Sequence, residues 1–95
     1  MPENVPRILP KGCMAQIRTG AWEMPAIFRV IQQGGNITAA ELYRTFNCGI
    51  GMVLAVSAAE AEDVLQRLKA LGETAMIIGQ IVRCEPGREG VELVA

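Results

Sequence analysis

Residues 44–56 read Arg44-Thr45-Phe46-Asn47-Cys48-Gly49-Ile50-Gly51-Met52-Val53-Leu54-Ala55-Val56, and they decide the fold class. The stretch begins in a helical pattern and ends in a strand pattern, with Asn47-Cys48-Gly49 breaking the chain between them. From Ile50 to Val56 large residues (Ile50, Met52, Leu54, Val56) alternate with small ones (Gly49, Gly51, Val53, Ala55). A strand apolar on both faces predicts a central, buried position in a sheet. Glycine within a strand costs about 1 kcal/mol and marks a turn, tight packing or the approach of a ligand. The Gly49-Ile50-Gly51 pair is no dinucleotide fingerprint, because it opens a strand rather than a helix.

Upstream of this stretch the period is helical. Met24, Ile27, Phe28 and Ile31 fall at i, i+3, i+4 and i+7, with Pro25 suited to a first turn and Gly34-Gly35 to a stop. A second helix opens at Thr38, three residues before Glu41, in a capping-box spacing, and Ile37 and Leu42 hold the staple positions. The two helices are expected to form a corner over Phe28, Ile31, Leu42 and Phe46. Earlier still, Cys13–Arg18 alternates weakly as a short strand, closed by Thr19-Gly20. The first twelve residues, with Pro2, Pro6 and Pro10, read as a helical turn or extended arm docked through Val5, Ile8 and Leu9.

Downstream, Ser57 and Glu60 have the spacing of a second capping box. The helix after them places Ala61, Val64, Leu65, Leu68 and Leu71 on one face. Its acids come early and its bases late, as the helix dipole favours, and Gly72 ends it. Ala75–Val82 reads as another buried strand, Glu85–Gly90 as a hairpin turn and Val91–Val94 as the returning strand. The predicted order is arm-β-α-α-β-α-β-β: an α+β domain with helices packed on a mainly antiparallel sheet.

Composition narrows what such a domain can do. Ninety-five residues allow one domain, which removes only about two thirds of its unfolded surface from water. Nine Lys+Arg against ten Asp+Glu give no basic footprint, so no nucleic acid is expected as partner. With no histidine there is no imidazole base and no Ser-His or Cys-His nucleophile pair. Cys13, Cys48 and Cys84 stand about 35 residues apart, in neither a disulfide framework nor a zinc spacing. They read as buried thiols of a cytoplasmic protein. No secretory leader is recognised at Met1-Pro2-Glu3-Asn4, and the longest uncharged apolar run, Cys48–Ala59, is too short to span a bilayer. The chain is 51% hydrophobic, so it is expected either to hide its apolar surface well or to have a partner, such as a second copy, that covers it.

Two stretches carry candidate chemistry. In Pro2-Glu3-Asn4-Val5-Pro6-Arg7, a proline-bracketed turn presents a carboxylate, an amide and a guanidinium, a set suited to a phosphorylated ligand; an exposed terminus reads the same residues without a ligand. In the other, Asn47, Gly49 and Gly51 fit either turn packing or ligand approach. Trp22 reads as an aromatic at the rim of the core, and the five methionines as core filler. Cys48 has no neighbouring base or cation in sequence to activate it.

Taken together, PENVPRILPKG, WEMPAIFRVIQQGGNIT, ELYRTFNCGIGMVLAV and GETAMIIGQIV resemble, in order and over nearly the whole chain, the C-terminal domain of the aminoimidazole ribonucleotide synthetases, or phosphoribosylformylglycinamidine cyclo-ligases. The resemblance implies a purine-biosynthesis ligase. ATP activates the formyl oxygen of formylglycinamidine ribonucleotide, an internal nitrogen closes the imidazole ring, and ADP and phosphate leave. It also implies ATP and Mg in the full-length enzyme, bound mostly by an N-terminal domain that forms a dimer. Residues 1–95 correspond to a partial C-terminal domain, beginning where the family's glycine-rich phosphate loop ends. By itself such a chain is expected to bind neither cofactor and to be inactive. Glu3, Asn4, Arg7, Asn47, Gly49 and Gly51 carry over as the wall of the substrate cleft, with no metal ligand among them and no catalytic residue assigned. Two alternatives stay open: another member of the same ATP-dependent superfamily, such as a selenophosphate synthetase or thiamine-monophosphate kinase, or a stand-alone binding or assembly module.

Overall fold

A computed structural model describes residues 1–94. Its centre is β1, Cys13–Arg18, which takes a strand on either side: β2, Gly79–Arg83, runs antiparallel to it and β3, Gly90–Val94, parallel. Alternation sorts the two faces of this sheet. Ala15 lies opposite Val91 and Ile17 opposite Leu93, and this apolar row faces the core. On the other face Gln80 donates to Gln16 Oε1 at 3.1 Å and Gln16 donates to Glu92 Oε1 at 3.4 Å, a polar row across all three strands. Gly79 sits so close to β1 that a side chain there would run into the Gln16 carbonyl.

A 3-10 turn at Val5–Ile8 lies against β1 and β3 and inserts Val5 into the core, while Leu9 packs at its margin. Ile8, expected to dock as well, is 61% exposed. The helical corner forms as expected from α1, Ala26–Gly35, and α2, Ala39–Thr45. Leu42 is buried at 1% exposure beneath it, and the Phe28 and Phe46 rings meet edge to face at 6.0 Å. Thr38 caps α2 by accepting the Glu41 N–H. α1 runs through Gly34-Gly35 and stops one residue later, at Asn36, whose left-handed φ of 53° ends the helix.

The α+β class stands, and several expectations within it are corrected. The sheet is mixed, with one antiparallel and one parallel pair, rather than mainly antiparallel. Residues 85–90 make no hairpin: they carry the chain past the end of β1, so that β2 and β3 flank it and never pair with each other. Ile50–Val56 occupies its predicted place in the order but joins no ladder, and Met52, Leu54 and Val56 are exposed at 81%, 54% and 44%. β2 and β3 take both sides of β1, and the segment does not pair with the outer edge of either. Likewise β2 is an edge strand, with Ile81 exposed, and residues 75–78 lie outside its ladder.

The last helix, α3, spans Ala61–Ala70. Ser57 and Glu60 make a backbone turn before it rather than a capping box, because the Ser57 side chain accepts no N–H of α3. Gly72, at φ +88°, does close the helix. The apolar stripe of α3 (Val64, Leu65, Leu68) borders an open groove of about 1080 Å³ instead of resting on the sheet. The far wall of that groove comes from the unpaired 50–56 segment and from residues 75–81.

Candidate functional site

The turn after α2 is built by contacts from three directions. Phe46 N–H closes α2 on the Leu42 carbonyl, and Ile50 N–H returns to the Asn47 carbonyl at 3.0 Å. Between them Cys48 and Gly49 both take positive φ, 54° and 103°. A left-handed cysteine costs roughly 1–2 kcal/mol, so its surroundings must hold it. They do so by complete burial of Cys48, by the Trp22 indole N–H donating to the Cys48 carbonyl at 3.0 Å, and by the thiol lying 3.8 Å from the Leu42 and Phe46 carbonyls. Trp22 is itself fixed edge to face against Tyr43. Asn47 Oδ1 accepts the Gly49 N–H at 2.9 Å, and a Cβ on Gly49 would stand 2.7 Å from the Pro25 ring. Asn47 and Gly49 therefore have a demonstrable turn-building role.

This turn delivers the chain to a cleft of about 360 Å³ between the N-terminal arm and residues 44–53. Asn4 and Val5 line one side; Arg44, Asn47 and Gly51 line the other. The two stretches singled out in the sequence thus meet across one opening, although more than forty positions separate Asn4 from Asn47. Gly51 is open, with nothing within 4 Å of where a Cβ would stand. Gly49 faces Pro25 and the larger groove.

The charged residues are arranged differently from the expectation. Arg7 is exposed, does not line the cleft and makes no ion pair among the described residues. Glu3 stands at the rim, 3.8 Å from the Arg44 Nε. Arg44 is the guanidinium at the cleft: its Nη2 donates to both carboxylate oxygens of Glu41, at 2.8 and 2.7 Å. This bond holds the Glu41 carboxyl below its ordinary range, and the same pairing raises Arg44. Sequence reasoning quoted Arg44 without selecting it. The usable signal was its i, i+3 spacing from Glu41 on the helix that ends at the cleft. Trp22, read as a rim aromatic, also locks the turn, a role that only the long-range hydrogen bond reveals.

Burial pushes the Cys48 thiol up, so at neutral pH it is protonated and suited to packing rather than attack. Among the described residues no three His, Cys, Asp or Glu side chains gather to hold a metal ion, and no helix is long and apolar enough to cross a membrane.

An α+β domain with this turn and cleft belongs to a defined class. Residues 2–91 match the family described as "AIR synthase related protein, C-terminal domain", and the chain is a member of it. It is 59% identical over 92 residues to a phosphoribosylformylglycinamidine cyclo-ligase of Geobacter metallireducens, covering 97% of this chain and 26% of that protein. The cyclo-ligase of Citrifermentans bemidjiense is 52% identical over the same shares. That of Trichlorobacter lovleyi is 60% identical over 79 residues, 83% of this chain and 23% of its own length. The chain spans about a quarter of the length of these relatives.

Proposed function

We propose that this chain is the C-terminal part of the ligase that converts formylglycinamidine ribonucleotide and ATP to aminoimidazole ribonucleotide, ADP and phosphate. The cleft between the arm and residues 44–53 then forms one wall of its substrate site. The observation that carries the reading is the meeting of PENVPR and RTFNCGIGM across one cleft, in a chain that matches cyclo-ligases along 97% of its length. Glu3, Asn4, Asn47 and Gly51 border the ligand; Gly49 keeps the turn that presents them; Arg7 lies outside.

The chain's own contribution is binding and orientation. Asn4 and Asn47 offer amide donors, and Gly51 allows a ligand to approach the backbone without a side chain in the way. Histidine is absent and Cys48 stays protonated, so this wall offers neither an imidazole nor a thiolate base, and the carboxylates at the cleft, Glu3 and Glu41, are both paired with Arg44. ATP supplies the activation of the formyl oxygen, and with Mg²⁺ it is held by residues outside this chain. In this reading the enzyme works in the cytoplasm as a homo-oligomer. The exposed apolar residues along the larger groove support self-association, and sedimentation is expected to give a mass above the monomer at tens of micromolar. A concentration-independent monomer would count against that part.

A chimera tests the activity. Replacing the matching 92 residues of the Geobacter metallireducens cyclo-ligase with this chain should preserve ATP-dependent turnover of formylglycinamidine ribonucleotide, whereas the chain alone should release no phosphate. A correctly folded but inactive chimera would sink the reading.

A further inference from the structure

Arg44 lies in the last turn of α2, at the edge of the cleft, with most of its donors uncommitted. Only Nη2 is hydrogen-bonded, to Glu41; Nε faces Glu3 at ion-pair distance, and Nη1 has no partner among the described residues. Around it the cleft wall is rich in donors. The Asn47 amide oxygen is used on Gly49, and among the described residues neither its NH₂ group nor the Asn4 amide has a partner. Among the described residues the backbone N–H groups of Gly51 and Met52 make no backbone hydrogen bond, because the segment joins no ladder. A guanidinium fork beside several N–H donors is the arrangement that meets the oxygens of a phosphate.

The local charge balance argues against a simple preformed anion site. Two carboxylates, Glu3 and Glu41, stand against the Arg44 guanidinium and the Met1 ammonium, which also lines the cleft and is drawn to Glu3, so the wall carries no net positive charge. An incoming dianion must therefore exchange with Glu41 for the guanidinium. That exchange is feasible because both partners are about half exposed, at 54% and 46%, so water takes up the displaced carboxylate. Thr45 Oγ, already donating to Glu41 at 3.4 Å, keeps the carboxylate close by.

We propose that Arg44, in place of Arg7, binds the phosphate of a sugar phosphate monoester in the cleft, and that Glu41 is a latch which holds the guanidinium until the phosphate displaces it. The proposal deepens the substrate-wall reading and rests on it. It has a signature that a plain binding arginine lacks: removing the latch's charge strengthens binding.

Titration calorimetry of the chain with ribose 5-phosphate, with ribose and with ATP provides the test. Ribose 5-phosphate should bind and ribose should not. Arg44→Met should weaken phosphate-ester binding at least tenfold, Arg7→Met should change it less than twofold, and Glu41→Gln should tighten it several-fold. Tighter binding of ribose 5-phosphate than of ATP through Arg44 supports the monoester assignment, and tighter binding of ATP through Arg44 overturns it. Wild-type-like binding by Arg44→Met, a loss carried by Arg7→Met, a weaker Glu41→Gln, or no ester binding to the wild-type chain would each overturn the proposal. Matching thermal unfolding of the variants shows that they are folded. An active chimera with an unimportant Arg44 would remove the latch alone; an inactive chimera beside Arg44-dependent binding would remove the ligase reading alone.

Discussion

The turn at Asn47–Ile50 and the segment that follows it, 51–56, come from one apolar stretch and meet opposite fates. In the turn every conformational demand is met from outside: Trp22 takes the Cys48 carbonyl, Pro25 fills the space beside Gly49, and Leu42 lies buried below. Past Gly51 the alternation is just as regular, yet Met52 and Leu54 face solvent and no strand pairs with them. An apolar pattern becomes a fixed structure only where another element brings a complementary surface to it. α3 repeats the lesson, since its stripe is well formed and borders an open groove.

The largest test of this contrast is a pair of leucines. Leu42→Ala, at a site with 1% exposure, should cost roughly 2–5 kcal/mol in chemical denaturation. Leu71→Ala, at 79% exposure, should stay within about 0.5 kcal/mol. Equal losses would mean that the groove is closed in solution. The glycines sharpen the same boundary. Gly49→Ala must take φ +103° and push against Pro25, a loss of roughly 1–3 kcal/mol, whereas Gly51→Ala meets nothing and should leave stability within about 0.5 kcal/mol.

The smallest effect is one of pH. Burial raises the folded-state pKa of Cys48, so the unfolded chain loses its proton first as pH rises. The associated stability is complete below the ordinary thiol value of about 8.5 and is lost as pH climbs through the higher folded value. Denaturation midpoints should fall as pH rises past the ordinary thiol value, and Cys48→Ala should reduce that slope to the part left by Cys84 and Tyr43, which are raised in the same direction. An unchanged slope would show that the thiol is solvated.

Much of this was legible in the sequence because it depended on local signals. The Cys13–Arg18 strand, the Thr38 cap, the glycine after α3 and the corner over Leu42 all follow from spacing within one or two turns of chain. Strand pairing did not, because Glu85–Gly90 has the composition of a hairpin turn whichever edge the chain then joins, and only β1 decides that. At the cleft, Asn4 and Asn47 were within reach because they lie in distinctive motifs. Arg44 was passed over for Arg7 because charge alone does not tell which guanidinium faces inward; that is set by the angle at which α2 leaves its corner.

The central position of β1 has a consequence for how the molecule is made. β1 is finished by residue 18, but neither of its neighbours begins before residue 79. At translation rates of about 5–20 residues per second, the first strand waits several seconds with both edges unpaired. Pairings over such long stretches of chain form slowly, so the newborn polypeptide holds an aggregation-prone edge open until residues 79–94 have been made. A chaperone that shields residues 13–18 during that interval should raise the soluble yield more than one acting after release.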